Sequence, residues 1–180
     1  MDTIDHTLNG KQESAELTTS GQIFAGIHET QLVLRFVDDV RLIWCVALEE
    51  YCSSVFANDD VTGFYVDLSL ATNLDSTTLG VLAKLGIMAK KQLENPPTMH
   101  FETSDIERLV NCMGFSKVFH IVKTDEALGI DDSNLHELDS RDCCEDVMRD
   151  SVINAHKTLM ELSDENKKKF QELVNTLENK

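Results

Sequence analysis

The alternation of apolar and polar residues along this chain predicts buried strands separated by amphipathic helices. The clearest case spans residues 64–92, which open with an apolar run short enough for one strand covered on both faces. Asn73, Asp75 and Ser76 follow, and their side-chain oxygens suit a turn and a helix N-cap. From Leu79 the apolar residues recur at helical spacing. This stretch is therefore predicted as strand, turn and helix.

Similar patterns recur on both sides of this stretch. Asp39 is a candidate N-cap for an earlier helix, and Ser104 with Glu107 matches a capping box for a later one, which Gly114 would end. The predicted strands lie at 21–27, 30–36, 99–102 and 118–122, and the predicted helices at 40–56, 104–113 and, as a short turn, 125–128. Strands and helices alternating at this spacing predict an α/β fold, with helices packed on a mainly parallel or mixed sheet.

The C-terminal part of the chain has a different pattern. Residues 131–137 are predicted as a linker, and residues 139–162 carry an apolar seam at steps of four and three, which is typical of a long helix. Ser163, followed by two acidic residues, marks the start of a second helix. The seam residues are Met148, Val152, Ala155, Leu159 and Leu162. The two helices are too short for a core of their own, so they either pack on the preceding domain or pair with another subunit or a partner.

These patterns divide the chain into three parts. Residues 1–20 are polar and lack periodicity, which predicts a mobile arm. Residues 21–130 form the predicted α/β domain, and residues 131–180 form the predicted helical extension. A length of 180 residues suits one full core with an appendage.

Charge and cysteine content limit the classes of partner. The chain has 16 basic and 32 acidic residues, for a net charge of −16, which disfavours nucleic acid and anionic membranes as partners. Its 5 cysteines show no disulfide-scaffold spacing, and no apolar segment is long enough for a signal or a membrane span. We therefore expect a cytoplasmic protein in a reducing compartment.

Candidate chemistry is confined to the start of the helix after the buried strand. Asp75, Ser76, Thr77 and Thr78 place an acid and hydroxyl groups at the positive end of a helix, where a phosphate would meet free backbone donors. An ordinary N-cap is the commoner explanation of such a cluster. The histidines are scattered, so no metal or other cofactor is expected, and no catalytic motif indicates an enzyme.

The segment VDLSLATNLDSTTLGVLAKL, together with SDIERLVNCMGFSKVF downstream, resembles the STAS domains of bacterial anti-sigma factor antagonists. The resemblance covers about residues 21–128, and the C-terminal extension is similar to that of longer proteobacterial members. It implies a non-catalytic binding module in a partner-switching pathway of signal transduction and transcription regulation.

The resemblance implies that Ser76 is phosphorylated by an anti-sigma kinase and dephosphorylated by a PP2C-type phosphatase. Asp75 would help to position the Ser76 hydroxyl, and the unphosphorylated form would bind the anti-sigma factor or switch kinase. Thr77 and Thr78 are alternative acceptors. The implied partner surface consists of Asp39, Asn73, Asp75, Ser76, Thr77 and Thr78.

Two positions depart from the family pattern. Thr78 and Asp38 stand where the family usually has glycine, and the β-branched Thr78 adds bulk beside the acceptor. Two other functions remain open: a STAS subunit of a membrane transport complex of the lipid-trafficking ABC type, and a nucleotide-binding STAS module. Self-association through the C-terminal helices is a further option.

Overall fold

The structure is a computed structural model that describes residues 21–122, 129–140 and 143–179. Within these residues the strands are β1 (Gln22–His28), β2 (Gln31–Val40), β3 (Gly63–Leu74), β4 (Thr98–His100), β5 (His120–Val122) and β6 (His136–Glu137). The helices are α1 (Cys45–Phe56), α2 (Ser76–Gln92), α3 (Ser104–Cys112), α4 (Glu145–Leu162) and α5 (Asp164–Glu178). The predicted mobile arm at 1–20 and the predicted helical turn at 125–128 lie outside the described residues.

The six described strands form one mixed sheet in the order β5-β4-β3-β2-β1-β6. The neighbours from β2 to β5 are parallel, whereas β1 is antiparallel to both β2 and β6. The predicted fold class, a mixed sheet packed with helices, is confirmed. Because β2 and β3 are parallel, their carboxyl ends meet at one edge, where Asp39 is paired in register with Asn73.

The two faces of the sheet have separate apolar clusters. Leu32, Leu34 and Phe36 of β2 are fully buried in the main core, which also contains residues of every described helix. Val33 alternates with them, and it forms a small second cluster on the opposite face with Tyr65. Helix α2 contacts β3 and α4, so it is buried on more than one side and lies between the sheet and the C-terminal helices.

The C-terminal helices pack on the preceding domain. Helix α4 contacts α2, and α5 packs on α4, so the first of the two predicted arrangements is the one observed. The predicted start of the second helix at Ser163 is confirmed, because its hydroxyl accepts a hydrogen bond from the Asn166 backbone N–H at 3.1 Å. The boundaries of the three predicted parts and self-association through these helices stay predictions.

Two predicted helix caps are wrong. Strand β2 continues through Asp39 to Val40 because it remains paired with β3, and a 3₁₀ turn at Leu42–Trp44 precedes α1. Asp39 therefore caps no helix. The N-cap of α3 is Thr103, whose hydroxyl accepts the Ile106 N–H, and Ser104 is the first helical residue. Neighbouring hydroxyl residues have the same capping chemistry, so the sequence alone favoured the wrong one.

Several predicted boundaries also differ from the structure. Strand β3 runs to Leu74, so Asn73 lies in the strand and not in the predicted turn. Strands β4 and β5 are shorter than predicted, and α4 begins at Glu145 instead of 139. The predicted linker at 131–137 contains a 3₁₀ turn at Asp132–Asn134 and strand β6. Strand β6 adds to the edge of the sheet beside β1, and two residues are too few to show a strand period.

Candidate functional site

The site is built on Asp75, which links the starts of two helices. Its backbone is extended, and its Oδ1 accepts the Thr78 N–H at 2.7 Å, so Asp75 is the N-cap of α2. Its Oδ2 accepts the Leu42 N–H at 2.8 Å, at the start of the 3₁₀ turn before α1. The carboxylate thus fixes the turn that carries Ser76, and it does so through backbone groups.

Ser76 is the first residue of α2, and its half-buried side chain contacts α4. The distance from Ser76 Oγ to His156 Nε2 is 2.9 Å, and the distance from His156 Nδ1 to the Val152 carbonyl oxygen is 2.8 Å. A carbonyl only accepts, so Nδ1 carries a hydrogen. In the neutral ring Nε2 is then an acceptor, and Ser76 donates its hydroxyl hydrogen to it.

Sequence reasoning missed His156. The two bonded residues are 80 positions apart, and His156 is not one of the apolar seam residues. In the structure it is 2% exposed. Its only sequence signal is its place beside Ala155 and one helical turn after Val152, both of them seam residues.

The two threonines after Ser76 are less accessible than Ser76. Thr77 is 6% exposed and Thr78 is fully buried, with Thr78 Oγ1 at 3.9 Å from Cys45 Sγ on α1. Burial raises the pKa of the Cys45 thiol to about 12, so Thr78 lies beside a neutral, enclosed thiol. Of the three candidate residues, the half-buried Ser76 is the most exposed.

Asp39 and Asn73 form a polar pair at the adjoining strand ends. The Asn73 Nδ2 group donates to Asp39 Oδ1 at 3.1 Å, and Arg41 Nε donates to Asp39 Oδ2 at 2.9 Å. The Arg41 hydrogen bond, with a smaller contribution from Asn73, holds the pKa of Asp39 below its ordinary value. The Asp75 backbone N–H donates to the Val40 carbonyl oxygen at 3.4 Å, so this pair adjoins the Asp75 turn.

Asp38 occupies the backbone conformation that a glycine adopts most easily. Its φ is 59°, in the left-handed region. The pattern that this segment resembles usually has glycine here. An aspartate tolerates the conformation better than most residues because its short polar side chain can bond locally. This departure from the pattern therefore keeps the backbone turn that a glycine would give.

Helix α4 lies directly against the backbone of α2 near the site. A Cβ atom added at Gly80 would lie 2.3 Å from the Ala155 carbonyl oxygen and 2.7 Å from the Ala155 Cβ. The helices approach this closely because both positions have small side chains. The contact is one helical turn from Ser76, so α4 covers one side of the candidate site.

Residues 21–122, 129–140 and 143–179 contain no group of three or more His, Cys, Asp or Glu side chains able to hold a metal ion. None of the helices described is both long and apolar enough to cross a bilayer.

No protein-family model matches the sequence, and no curated protein matches it either. Among the solved structures that are similar, three have a TM-score of 0.46. The first is an anti-sigma factor antagonist from Mycobacterium paratuberculosis, 22% identical, matched over 57% of this chain and 85% of its own. The second is the anti-sigma factor antagonist SpoIIAA in its unphosphorylated form, 10% identical, matched over 57% and 87%. The third is the Bacillus cell fate determinant SpoIIAA in its phosphorylated form, 10% identical, matched over 59% and 95%. Likeness at this level carries no argument about what the present chain binds.

Proposed function

We propose that this protein is an anti-sigma factor antagonist, a non-catalytic binding module whose affinity for a partner protein is set by phosphorylation of Ser76. One observation carries the proposal. Ser76 presents a half-buried hydroxyl at the first residue of α2, in the segment that resembles the family's phosphorylation motif. The deeper burial of Thr77 and Thr78 favours Ser76 as the acceptor.

The location suits a modification that leaves the domain folded. A phosphoserine adds about 1.5–2 negative charges at neutral pH. At a helix start the N-terminal backbone N–H groups and the helix dipole favour such a charge. Asp75 already caps α2 through Thr78, so the phosphate is not needed to hold the helix.

The same charge would oppose binding of a partner. Asp39 and Asp75 place two carboxylates at this edge of the sheet, the first bonded to Arg41 and Asn73 and the second to two backbone N–H groups. A partner that docks here must complement these carboxylates and must desolvate Ser76. A phosphate at that contact adds a desolvation cost and repels any partner carboxylate, so binding weakens.

The class of partner is an anti-sigma factor or a serine kinase and PP2C-type phosphatase regulator. The unphosphorylated form binds it and frees a sigma factor or another regulator. The surface involved comprises Asp39, Asn73, Asp75, Ser76, Thr77 and Thr78. Thr77 and Thr78 are buried, so their part is to shape the turn below the exposed residues. The proposal places the protein in the cytoplasm, where its partners act on transcription.

The test uses the full chain as bait in a lysate of its source cells, with bound proteins identified and quantified by mass spectrometry. Wild type and Ser76→Ala are expected to retain the same regulator, and Ser76→Asp is expected to retain at least about tenfold less, as for a buried charge that lacks a partner. Ser53→Asp, which adds the same charge at an exposed position on α1, is the matched control and should bind like wild type.

Two results would contradict the proposal. Equal capture of the regulator by Ser76→Ala and Ser76→Asp would show that charge at Ser76 does not control binding. Capture of an ABC-type ATPase in place of a kinase or anti-sigma factor would favour the transport-complex function instead. Where a kinase is captured, incubation with it and ATP should add the mass of one phosphoryl group to wild type and none to Ser76→Ala.

A further inference from the structure

His156 and Ser76 form a contact in which the position of one hydrogen decides the interaction. With Nδ1 donating to Val152 at 2.8 Å, neutral His156 offers only a lone pair at Nε2, and the Ser76 hydroxyl donates to it at 2.9 Å. The ring is almost completely buried, so water does not replace this bond while α4 stays in place.

The contact is part of a larger interface between α2 and the C-terminal helices. The Ala155 backbone lies against Gly80, and the ring of Phe170 on α5 stands edge-on to the His156 ring at a centroid distance of 4.9 Å. His156 is therefore held between two helices and directed at Ser76. Together α4 and α5 form what we call the C-terminal cap, residues Glu145–Glu178.

We propose that the C-terminal cap and a phosphate on Ser76 are mutually exclusive, so that phosphorylation releases the cap from α2. The inference rests on the proposed function, because it takes Ser76 as the modified residue. It adds the role of the C-terminal extension: the cap responds within the same chain to the state of Ser76.

Phosphorylation removes the hydrogen on which the contact depends. Transfer from ATP forms a bond between Ser76 Oγ and phosphorus, ADP leaves, and the hydroxyl proton is released. The ester oxygen then has only lone pairs, and it faces the Nε2 lone pair of a neutral His156 across the former hydrogen-bond distance. An attractive contact becomes a repulsive one.

Size and charge act in the same direction. Three further oxygen atoms have to fit beside a ring that is 2% exposed and in contact with Phe170. In the described part of the chain no Lys or Arg side chain bonds to Ser76. Two basic side chains around the site have other partners: Arg41 bonds to Asp39, and Lys169 of the cap lies over the ring of Phe170, 5.4 Å from its centroid. Among the described residues, no basic side chain is thus bonded at Ser76 to hold a phosphate against the cap.

The experiment places phosphoserine at position 76 of the full chain by genetic encoding, so that no kinase is needed, and follows amide hydrogen exchange. We expect exchange in Glu145–Leu162 to become at least about tenfold faster than in the unmodified chain, as for loss of a hydrogen bond together with burial of a charge. Exchange in β2 and β3 should not change, which shows that the domain remains folded. Phosphoserine at Ser104, the exposed first residue of α3, is the matched control and should leave the cap unchanged.

Two variants of His156 test the hydrogen bond itself. His156→Phe keeps a ring against Phe170 and removes the acceptor, so cap exchange should be about two- to tenfold faster than in wild type, the factor for one net hydrogen bond. His156→Gln retains an acceptor near the position of Nε2, and it should lie closer to wild type.

The outcomes distinguish a failure of this inference from a failure of the proposed function. Unchanged amide hydrogen exchange in the C-terminal cap, with phosphoserine at position 76, would overturn the inference. Slower exchange would also overturn it, because it would mean that the phosphate is held by a protonated His156. If phosphoserine at position 76 releases the C-terminal cap but the chain captures no regulator, only the proposed function is contradicted. Partner switching with an unchanged cap contradicts the inference alone.

Discussion

The carboxylate of Asp75, the N-cap of α2, also accepts the Leu42 backbone N–H at 2.8 Å from the segment before α1. One side chain thus satisfies donors at the starts of two elements that are far apart in sequence. The turn that presents Ser76 is therefore fixed by tertiary structure as well as by local capping.

Replacement of Asp75 is expected to destabilise the domain more than loss of an ordinary cap. Asp75→Ala removes two acceptors, so the free energy of unfolding should fall by about 2–4 kcal/mol, against about 1 kcal/mol for a single cap. Urea unfolding followed by circular dichroism measures the difference. Asp105→Ala, at an exposed position in the first turn of α3, is the control and should cost less than about 1 kcal/mol. A loss of only about 1 kcal/mol for Asp75→Ala would show that the bond to Leu42 contributes nothing.

Gly80→Ala should destabilise the protein although alanine favours helices. At an exposed helical position this change stabilises by about 1 kcal/mol. Here the new methyl group would lie 2.3 Å from the Ala155 carbonyl oxygen, so α4 has to shift, at a cost of about 1–3 kcal/mol. Gly129→Ala is the matched control, because a Cβ there has no neighbour within 4 Å. A Gly80→Ala chain as stable as wild type, measured by thermal unfolding, would contradict the close contact of the two helices.

Cys45 should make stability fall in alkaline solution. Burial, assisted by the nearby carboxylates of Asp75 and Glu49, raises the pKa of this thiol from 9.0 to about 12. Between these values the unfolded chain loses the thiol proton and the folded chain keeps it, so the free energy of unfolding decreases as pH rises. Cys45→Ala should therefore show a shallower decline than wild type between pH 9 and 12, measured by urea unfolding at several pH values. If the unfolding free energies of wild type and Cys45→Ala declined in parallel with pH, the Cys45 thiol would have the same pKa in the folded and unfolded chains.

The sequence predicted the centre of the site because its signals are local. The change from an apolar run to helical spacing at Leu79, with Asp75 and Ser76 between, marks strand, cap and helix within a few residues. The structure has this arrangement, with Asp75 as the N-cap of α2.

The remaining features depend on contacts between distant parts of the chain. The apolar seam of α4 predicted a buried face but not the helix that it meets, so the bond between His156 and Ser76 had no sequence signal. Strand β6 is defined by its pairing with β1, and its two residues carry no period. Asp39 has a side chain suited to a helix N-cap, but it lies within β2 because the pairing with β3 continues past it.

Asn166 is a buried residue next to the connection between α4 and α5, and it anchors the C-terminal cap to α3. Its side-chain amide donates to the Met113 carbonyl oxygen at the end of α3, at 3.0 Å, and to that of Leu159 on α4, at 2.8 Å. This anchor is separate from the contact with Ser76, so a cap released at α2 would remain tethered at its joint. Return of the cap after removal of the phosphate would then be an intramolecular step with a high effective concentration. Its rate would be independent of the amount of protein in the cell.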